Sequence, residues 1–240
     1  MYNNFIFIGL PYAALLIFLV GSIFRYRSQP FSVSSLSSQI LESRILYWGS
    51  HSFHIGIVAL FFGHLIGFLF PSSVIAFTGQ PTRLLILEIS AFTFGLLSLF
   101  GISTLIYRRI AVPKLKTVTS KMDVAVYVLI LIQVVSGLWI AYFDRWGSAW
   151  FAISLAPYLK SIFLLSPNFE AIAAMPLSIK IHVASAFVFV GMIPFTRLMH
   201  FLVFPFVYIT RAYQYVIWNW DRKTRRGSTK FNEGVKAKNN

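Results

Sequence analysis

Long apolar blocks separated by short polar connections make up most of this chain. Five blocks reach the roughly 20 residues that a helix needs to cross a hydrocarbon core. Their limits are about Phe5–Phe24, Tyr47–Phe70, Leu84–Tyr107, Val124–Phe143 and Ile181–Val207. The blocks are continuously apolar and do not show the alternating polarity of barrel strands. The pattern therefore predicts an all-α membrane protein, a bundle of five transmembrane helices.

Composition supports this prediction and removes several kinds of chemistry. Apolar residues make up 57% of the chain and charged residues only 12%, too few to cover a soluble protein of this size. The chain has no cysteine, which excludes disulfides, zinc sites with thiolate ligands and cysteine-ligated iron–sulfur clusters within it. The first block lacks a basic leading segment and is longer than a signal-peptide core, so we expect a retained helix.

The positive charges predict the orientation of the bundle. The net charge is +14, and the basic residues lie mainly between the apolar blocks. The first and third connections and the C-terminal segment hold sixteen of them, against four on the other side. Cytoplasmic loops carry the excess of Lys and Arg, so we expect the N-terminus outside and the C-terminus in the cytoplasm. This distribution favours membrane lipids over nucleic acid as the partner of the charges. It divides the chain into a membrane domain, 1–215, and a basic cytoplasmic tail, 216–240.

The connection Asp144–Lys180 is rich in aromatic residues and contains an apolar run at Ser161–Leu165. This composition is typical of a short helix at the outer membrane interface. An irregular loop with scattered aromatic residues is the alternative.

The five histidines carry the candidate chemistry. His51, His54 and His64 fall in the second span, and His182 and His200 fall in the fifth. Histidine is costly inside a membrane, so its presence points to function. His182 and His200 are 18 residues apart, five turns of one helix, which places them on one face. Because the two spans run in opposite directions, the predicted pairs are His54 with His200 and His64 with His182.

The heights of these pairs do not match on straight helices. Eighteen residues rise about 27 Å, whereas the ten between His54 and His64 rise about 15 Å. We expect helix tilt and a kink at Pro194 to absorb part of the difference.

Two b-type haems, each held by two histidines, fit this pattern best. Such a haem passes electrons and has no open position for oxygen chemistry. No carboxylate accompanies the histidines at the spacing of metal ligands, which argues against a bridging divalent metal. His51 is left over, as a helix cap, a propionate contact or a substitute ligand.

Three arginines and a glycine are further candidates. Arg197, one turn from His200, is a natural partner for a haem propionate, and snorkelling to the interface is the alternative. Arg108 and Arg109, at the end of the third span, suit either propionate binding or a stop-transfer signal. Gly63, beside His64, suits close approach of a porphyrin or of a neighbouring helix.

Two strings of this sequence resemble a known family. SFHIGIVALFFGH (Ser52–His64) and IHVASAFVFVGMIPFTRLMH (Ile181–His200) are similar to the γ subunit of respiratory membrane-bound nitrate reductase, a dihaem cytochrome b anchor. The segment Arg25–Arg27 and the double arginine after the third span also fit. The resemblance covers about residues 1–215, and the histidine spacings of 10 and 18 are its most specific part.

The resemblance implies a function and partners. It places His54 and His200 on a cytoplasmic-side haem, and His64 and His182 on an outer-side haem where quinol is oxidised. Electrons would pass to an iron–sulfur β subunit and then to a molybdenum-containing α subunit, in the cytoplasmic membrane of a prokaryote. The family has a basic residue near the quinol site, and Arg83 occupies that place, with an interfacial anchor as the alternative; Gly63 is the second quinol-site candidate. Arginine titrates less readily than lysine, which separates this chain from the family pattern there.

Three other functions are weighed against this one. The same anchor suits a nitrite-oxidising or sulfur-cycle redox complex, because a cytochrome does not reveal the direction of electron flow. A transporter that relays protons through histidines would need acidic partners, and Glu88 is the only carboxylate expected at membrane depth. A purely structural anchor leaves four buried imidazoles without a role.

Overall fold

Five helices in the described part of the chain are long and apolar enough to cross a membrane. A computed structural model of the chain describes residues 5–29, 41–168 and 170–202. The candidate spans are Phe5–Ser28, Arg44–Leu69, Pro81–Ala111, Lys121–Phe143 and Leu177–Phe195. The all-helical architecture and the five predicted spans are confirmed; the ends of the first four shift by up to about four residues, and the fifth, Leu177–Phe195, ends earlier than predicted. The predicted tail, 216–240, lies outside the described residues.

Shorter helices fill the connections between the spans. We number the α-helices in chain order: α1 Leu10–Ser28, α2 Arg44–Leu69, α3 Pro71–Thr78, α4 Pro81–Ala111, α5 Pro113–Lys116, α6 Lys121–Phe143, α7 Gly147–Trp150, α8 Ala156–Phe163, α9 Glu170–Ala173 and α10 Leu177–Met192. A π-helical turn, Phe5–Gly9, precedes α1, and another, Phe151–Leu155, joins α7 to α8. The connection after α6 is therefore helical over much of its length, as its composition predicts.

Helix packing follows a chain of neighbours from α2 to α4, from α4 to α6, from α6 to α10 and from α10 to α1. The closest pair is α2 with α4, and glycines make this possible. A Cβ atom at Gly101 would overlap the backbone of Phe53, and one at Gly56 would overlap Ser98. Small residues let helix backbones approach closely, which is how membrane helices gain packing energy.

Polar contacts tie the helix ends together at one end of the bundle, which we call the basic end. Ser120 caps α6 by accepting a hydrogen bond from the backbone of Asp123, whose side chain bonds back to Ser120. Asp123 also lies 3.4 Å from Arg197 and 4.0 Å from Arg109. One carboxylate thus links the ends of α4 and α6 to the segment after α10.

Contacts at the opposite end hold the α7–α8 segment. The Tyr158 hydroxyl donates a hydrogen bond of 2.7 Å to the carbonyl of Phe7, and burial is the main cause that raises the pKa of Tyr158. Glu88 accepts hydrogen bonds from the backbone N–H and the hydroxyl of Ser148, at 3.0 and 2.8 Å. Glu88 therefore anchors α7 to α4.

The fifth span differs from the continuous helix predicted for Ile181–Val207. The α-helix ends at Met192, and two 3-10 turns follow, Ile193–Phe195 and Arg197–Met199. Thr196 between them has extended backbone, with φ −121° and ψ 174°. Proline cannot donate the backbone hydrogen bond of a helix and clashes with the preceding turn, so Pro194 interrupts the helix more completely than a kink. Residues 203–207 lie outside the described residues.

Candidate functional site

Both predicted histidine pairs come together between α2 and the fifth span. The ring centroids of His54 and His200 are 6.2 Å apart, and those of His64 and His182 are 6.4 Å apart. The break after Met192 resolves the difference in height between the two helices, because the chain from His182 to His200 is not one straight helix.

The distance within each pair fits two ligands on opposite sides of one metal. A metal-bound imidazole nitrogen lies about 2 Å from the metal, so the ring centres of two opposed imidazoles lie about 6 Å apart. Among the described residues, no group of three or more histidine, cysteine, aspartate and glutamate side chains is placed to hold a metal ion. Haem supplies its own four nitrogen ligands and needs only two from the protein. The residues present therefore fit haem iron.

Three of the four paired histidines are oriented by a backbone carbonyl three or four residues earlier in the chain. The Nδ1 atoms of His54, His64 and His200 lie 2.7, 2.8 and 2.8 Å from the carbonyls of Ser50, Leu60 and Arg197. A carbonyl accepts the proton of Nδ1 and leaves Nε2 as the nitrogen available to a metal. A hydrogen bond of this kind fixes the tautomer and the ring orientation of a metal ligand.

His182 is held by a neighbouring helix instead. Its Nδ1 lies 2.9 Å from the hydroxyl of Ser136 on α6, and its Nε2 lies 3.1 Å from the amide nitrogen of Gln133. Ser185 donates a hydrogen bond of 2.6 Å to the amide oxygen of Gln133. The Gln133 amide occupies the position beside Nε2, so it must turn aside when Nε2 binds a metal.

A glycine on α6 makes room for the ring of His182. A Cβ atom at Gly137 would lie 3.1 Å from its Cε1, closer than a normal contact. Sequence analysis missed Gln133, Ser136 and Gly137. The signal for Gln133 was its amide in the middle of an apolar span, where polar side chains need partners.

The candidate propionate ligands have partners within the chain. Arg108 is only 2% exposed, and its Nε donates a hydrogen bond of 2.7 Å to Glu42. Arg109 donates one of 3.0 Å to the hydroxyl of Thr119, besides its ion pair with Asp123. Arg197 is 37% exposed and faces Asp123. All three lie at the basic end, and their assignment to propionates stays a prediction.

Glu42, just before α2, is a fourth residue that the sequence did not single out. It accepts backbone hydrogen bonds from Ile45 and Leu46, at 2.7 and 3.1 Å, besides the contact with Arg108. Burial raises its pKa, but the hydrogen bonds from Ile45, Arg108 and Leu46 and the charge of Arg108 outweigh burial and leave the pKa below its ordinary value.

The remaining candidates lie outside the two pairs. Among the described residues, none lies within 4 Å of the position that a Cβ atom of Gly63 would take, so this part of the structure leaves space beside His64. Arg83 is exposed in the first turn of α4, with its guanidinium 5.6 Å from the ring centre of Phe77. His51 bonds through Nδ1 to the carbonyl of Tyr47 at 3.1 Å and packs against the Tyr47 ring.

Comparison with known proteins gives one family over nearly the whole chain. The sequence model described as "Nitrate reductase gamma subunit" matches residues 3–219. The nitrate reductase gamma chain of Bacillus subtilis (strain 168) is 30% identical over 207 residues, 85% of this chain and 93% of the relative. The respiratory nitrate reductase 2 gamma chain of Escherichia coli (strain K12) is 30% identical over 217 residues, 89% and 96% of the two chains. The respiratory nitrate reductase 1 gamma chain of the same organism is 29% identical over 222 residues, with the same coverage.

Proposed function

The chain belongs to the nitrate reductase gamma subunit family, and from this premise we propose that it is the cytochrome b membrane subunit of a respiratory nitrate reductase. It oxidises quinol near the outer face of the cytoplasmic membrane and delivers the electrons to the cytoplasmic side. The two histidine pairs, with centroids 6.2 and 6.4 Å apart, are the observation that carries this proposal. Haem b bound between the members of each pair would carry electrons one at a time across the bundle.

The four histidines define what this chain does not do. His54 with His200 and His64 with His182 would each supply both protein ligands of a bound haem, which would leave no iron position open for nitrate or oxygen. The chain is therefore an electron-transfer subunit without a terminal reductase site. The gamma-chain names of the relatives fit a complex of several subunits, and we infer that the electrons pass to an iron–sulfur β subunit and then to a molybdenum-containing α subunit.

Quinol oxidation is assigned to the end of the bundle near His64 and His182. Gly63 leaves space beside His64, and Arg83 begins α4 from the same end. An arginine donates hydrogen bonds but accepts no proton, so Arg83 would orient the quinol oxygen without taking its proton. Each quinol releases two electrons and two protons, and the protons leave to the outside.

The orientation follows from the basic residues. Arg25, Arg108 and Arg109 end two of the spans at the basic end, and an excess of positive charge stays in the cytoplasm. The pair His54–His200 is therefore the cytoplasmic one, and His64–His182 is the outer one. Haem propionates at the cytoplasmic pair are assigned to Arg197, Arg108 and Arg109.

One observation favours a second candidate function. The hydrogen-bonded set of His182, Gln133, Ser136 and Ser185 is the kind of polar chain that a proton-relaying transporter would use. A related anchor for a nitrite-oxidising or sulfur-cycle complex would keep the same haem sites and differ in its partners.

Haem content of the purified full chain tests the proposal. We expect two haems b per chain, low-spin in the native spectrum, and their reduction on addition of quinol. A folded chain that binds no haem, although haem was supplied in excess during its synthesis, would overturn the electron-transfer function and leave the proton relay. Two haems reduced only by a donor other than quinol would support the related redox complex.

A further inference from the structure

The break in the fifth span leaves backbone carbonyls without helical partners. Met192 is the last residue of α10, Pro194 has no N–H, and Thr196 is extended. Unpaired backbone groups are expensive at membrane depth, so a break of this kind persists only where other groups satisfy it. Thr196 does part of this, because its hydroxyl donates to the carbonyl of Ile193 at 3.1 Å and accepts from the N–H of Leu198 at 3.2 Å.

Arg25 at the end of α1 satisfies the carbonyls on either side of Phe195. One terminal nitrogen of its guanidinium donates hydrogen bonds of 2.6 Å to the carbonyl of Pro194 and 2.7 Å to that of Thr196. The two acceptors lie more than 160 residues from Arg25 in the sequence. Hydrogen bonds with a charged donor are stronger than neutral ones, so this contact fixes the path of the chain at the break.

A glycine one turn earlier on α1 brings Arg25 into place. A Cβ atom at Gly21 would lie 2.8 Å from the Cβ of Pro194, closer than any normal contact. Only a residue without a side chain lets α1 pack directly on Pro194. Gly21 and Arg25 thus contact the break from the same face of α1, because residues four apart are neighbours on a helix.

The break in turn determines the position of His200. The turn Arg197–Met199 begins at Thr196, whose carbonyl Arg25 binds, and it ends at His200. The Nδ1 of His200 bonds at 2.8 Å to the carbonyl of Arg197, inside this turn. The ring that faces His54 is therefore oriented by backbone that Arg25 holds.

We propose that Arg25 is the positioning residue of the His54–His200 pair: its two hydrogen bonds fix the break in the fifth span, and thereby the distance and angle at which His200 faces His54. The proposal rests on the proposed function, since its readout is the haem of this pair. The two hydrogen bonds that carry the proposal end on the carbonyls of Pro194 and Thr196, so the effect of Arg25 on His200 passes through the backbone of this segment.

The test replaces Arg25 in the full-length membrane-inserted chain. Arg25→Gln removes the charge and the whole guanidinium and shortens the side chain, and Arg25→Lys keeps the charge but reaches a single carbonyl more readily than two. Arg27→Gln, an exposed position two residues on, removes the same charge without touching the break. Each variant is also made with His182→Ala, which leaves only the haem of His54 and His200 to be observed.

We expect Arg25→Gln to shift the midpoint potential and low-spin electron paramagnetic resonance signal of that haem, or to lose it, while the outer haem stays unchanged. Arg25→Lys should give a smaller shift, and Arg27→Gln none. Gly21→Ala should affect the same haem. If the Arg25→Gln chain does not insert into the membrane, Gly21→Ala and Arg25→Lys together provide the test. An unchanged haem in these variants, or equal changes in both haems, overturns the role of Arg25. A wild-type chain without haem refutes the proposed function instead.

Discussion

The imidazole rings of His64 and His182 lie 6.4 Å apart, tilted by 31° to each other, on helices separated in the sequence by the whole of α4 and α6. Neither ring position follows from local sequence. α2 provides one ring, and α10, packed against α6 and α1, provides the other. The pair therefore forms only when these helices pack together, and replacing either histidine removes it.

Replacing one histidine of a pair should remove one haem and keep the other. His64→Ala and His182→Ala each lose the outer haem, and His54→Ala and His200→Ala each lose the inner one, because each iron needs both axial ligands. Haem per chain, measured by pyridine haemochrome absorbance, should fall from two to one. His51→Ala, whose ring bonds to Tyr47, should keep both. Loss of both haems from every variant that inserts would contradict the pairing.

Ser136→Ala should raise the midpoint potential of the outer haem. The hydroxyl lies 2.9 Å from Nδ1 of His182, and a hydrogen-bond acceptor there increases the basicity of the ligand and stabilises oxidised iron. Redox titration of the two haems measures the shift. Ser90→Ala is the matched control, since that hydroxyl bonds to the carbonyl of Leu87 on its own helix. An unchanged potential in Ser136→Ala would mean that the contact does not tune the site.

Arg83→Ala should slow quinol oxidation and leave haem content unchanged. The side chain is exposed at the start of α4, so its loss removes no buried contact of the bundle. Steady-state oxidation of a soluble quinol analogue by the whole complex gives the rate. Arg145→Ala, another exposed arginine, serves as the control. An unchanged rate of quinol oxidation in Arg83→Ala would contradict a role in the quinol site and indicate that Arg83 is an interfacial anchor.

Gly101→Val should destabilise the bundle by about 1–3 kcal/mol, the usual cost of overpacking. A side chain there would overlap the backbone of Phe53 and push α2 away from α4. Thermal unfolding in detergent gives the difference. Gly79→Ala is the control, because a Cβ atom there would meet only ordinary contacts at 3.5 Å. Equal unfolding temperatures for Gly101→Val and the wild type would show that the two helices separate without cost.

Acidification should weaken the contact between Glu42 and Arg108. The pKa of Glu42 is lower in the folded chain than in the unfolded chain, so the carboxylate contributes stability above its ordinary pKa. That contribution is lost as the pH falls through the lowered value. Glu42→Gln should cost about 2 kcal/mol near neutral pH, the value of a hydrogen bond to a charged group.

Unfolding scans of wild type and Glu42→Gln across the acidic range check this dependence. The two curves should converge at low pH, where the wild-type carboxylate is protonated. A constant difference between them would assign the contribution of Glu42 to its shape and not to its charge.

The sequence predicts the five spans and both histidine pairs because these depend on apolar length and helix periodicity. It does not predict the complete break at Pro194 and Thr196, since hydropathy is insensitive to backbone hydrogen bonds. The partners of that break, Arg25 and Gly21, lie on a helix far away in the sequence. Gln133, as a buried amide, was visible as an anomaly, but its contact with His182 required the packing of α6 against α10.

Helix α2 is unbroken from Arg44 to Leu69, and its glycines bind it tightly to α4. The separation of ten positions between His54 and His64 therefore fixes their distance along the axis of α2 at about 15 Å. Changes at the break in the fifth span would alter the position and angle of His200 but not the separation of His54 and His64 on α2. The two pairs therefore share one helix whose spacing stays constant and one interrupted segment that can be adjusted in evolution.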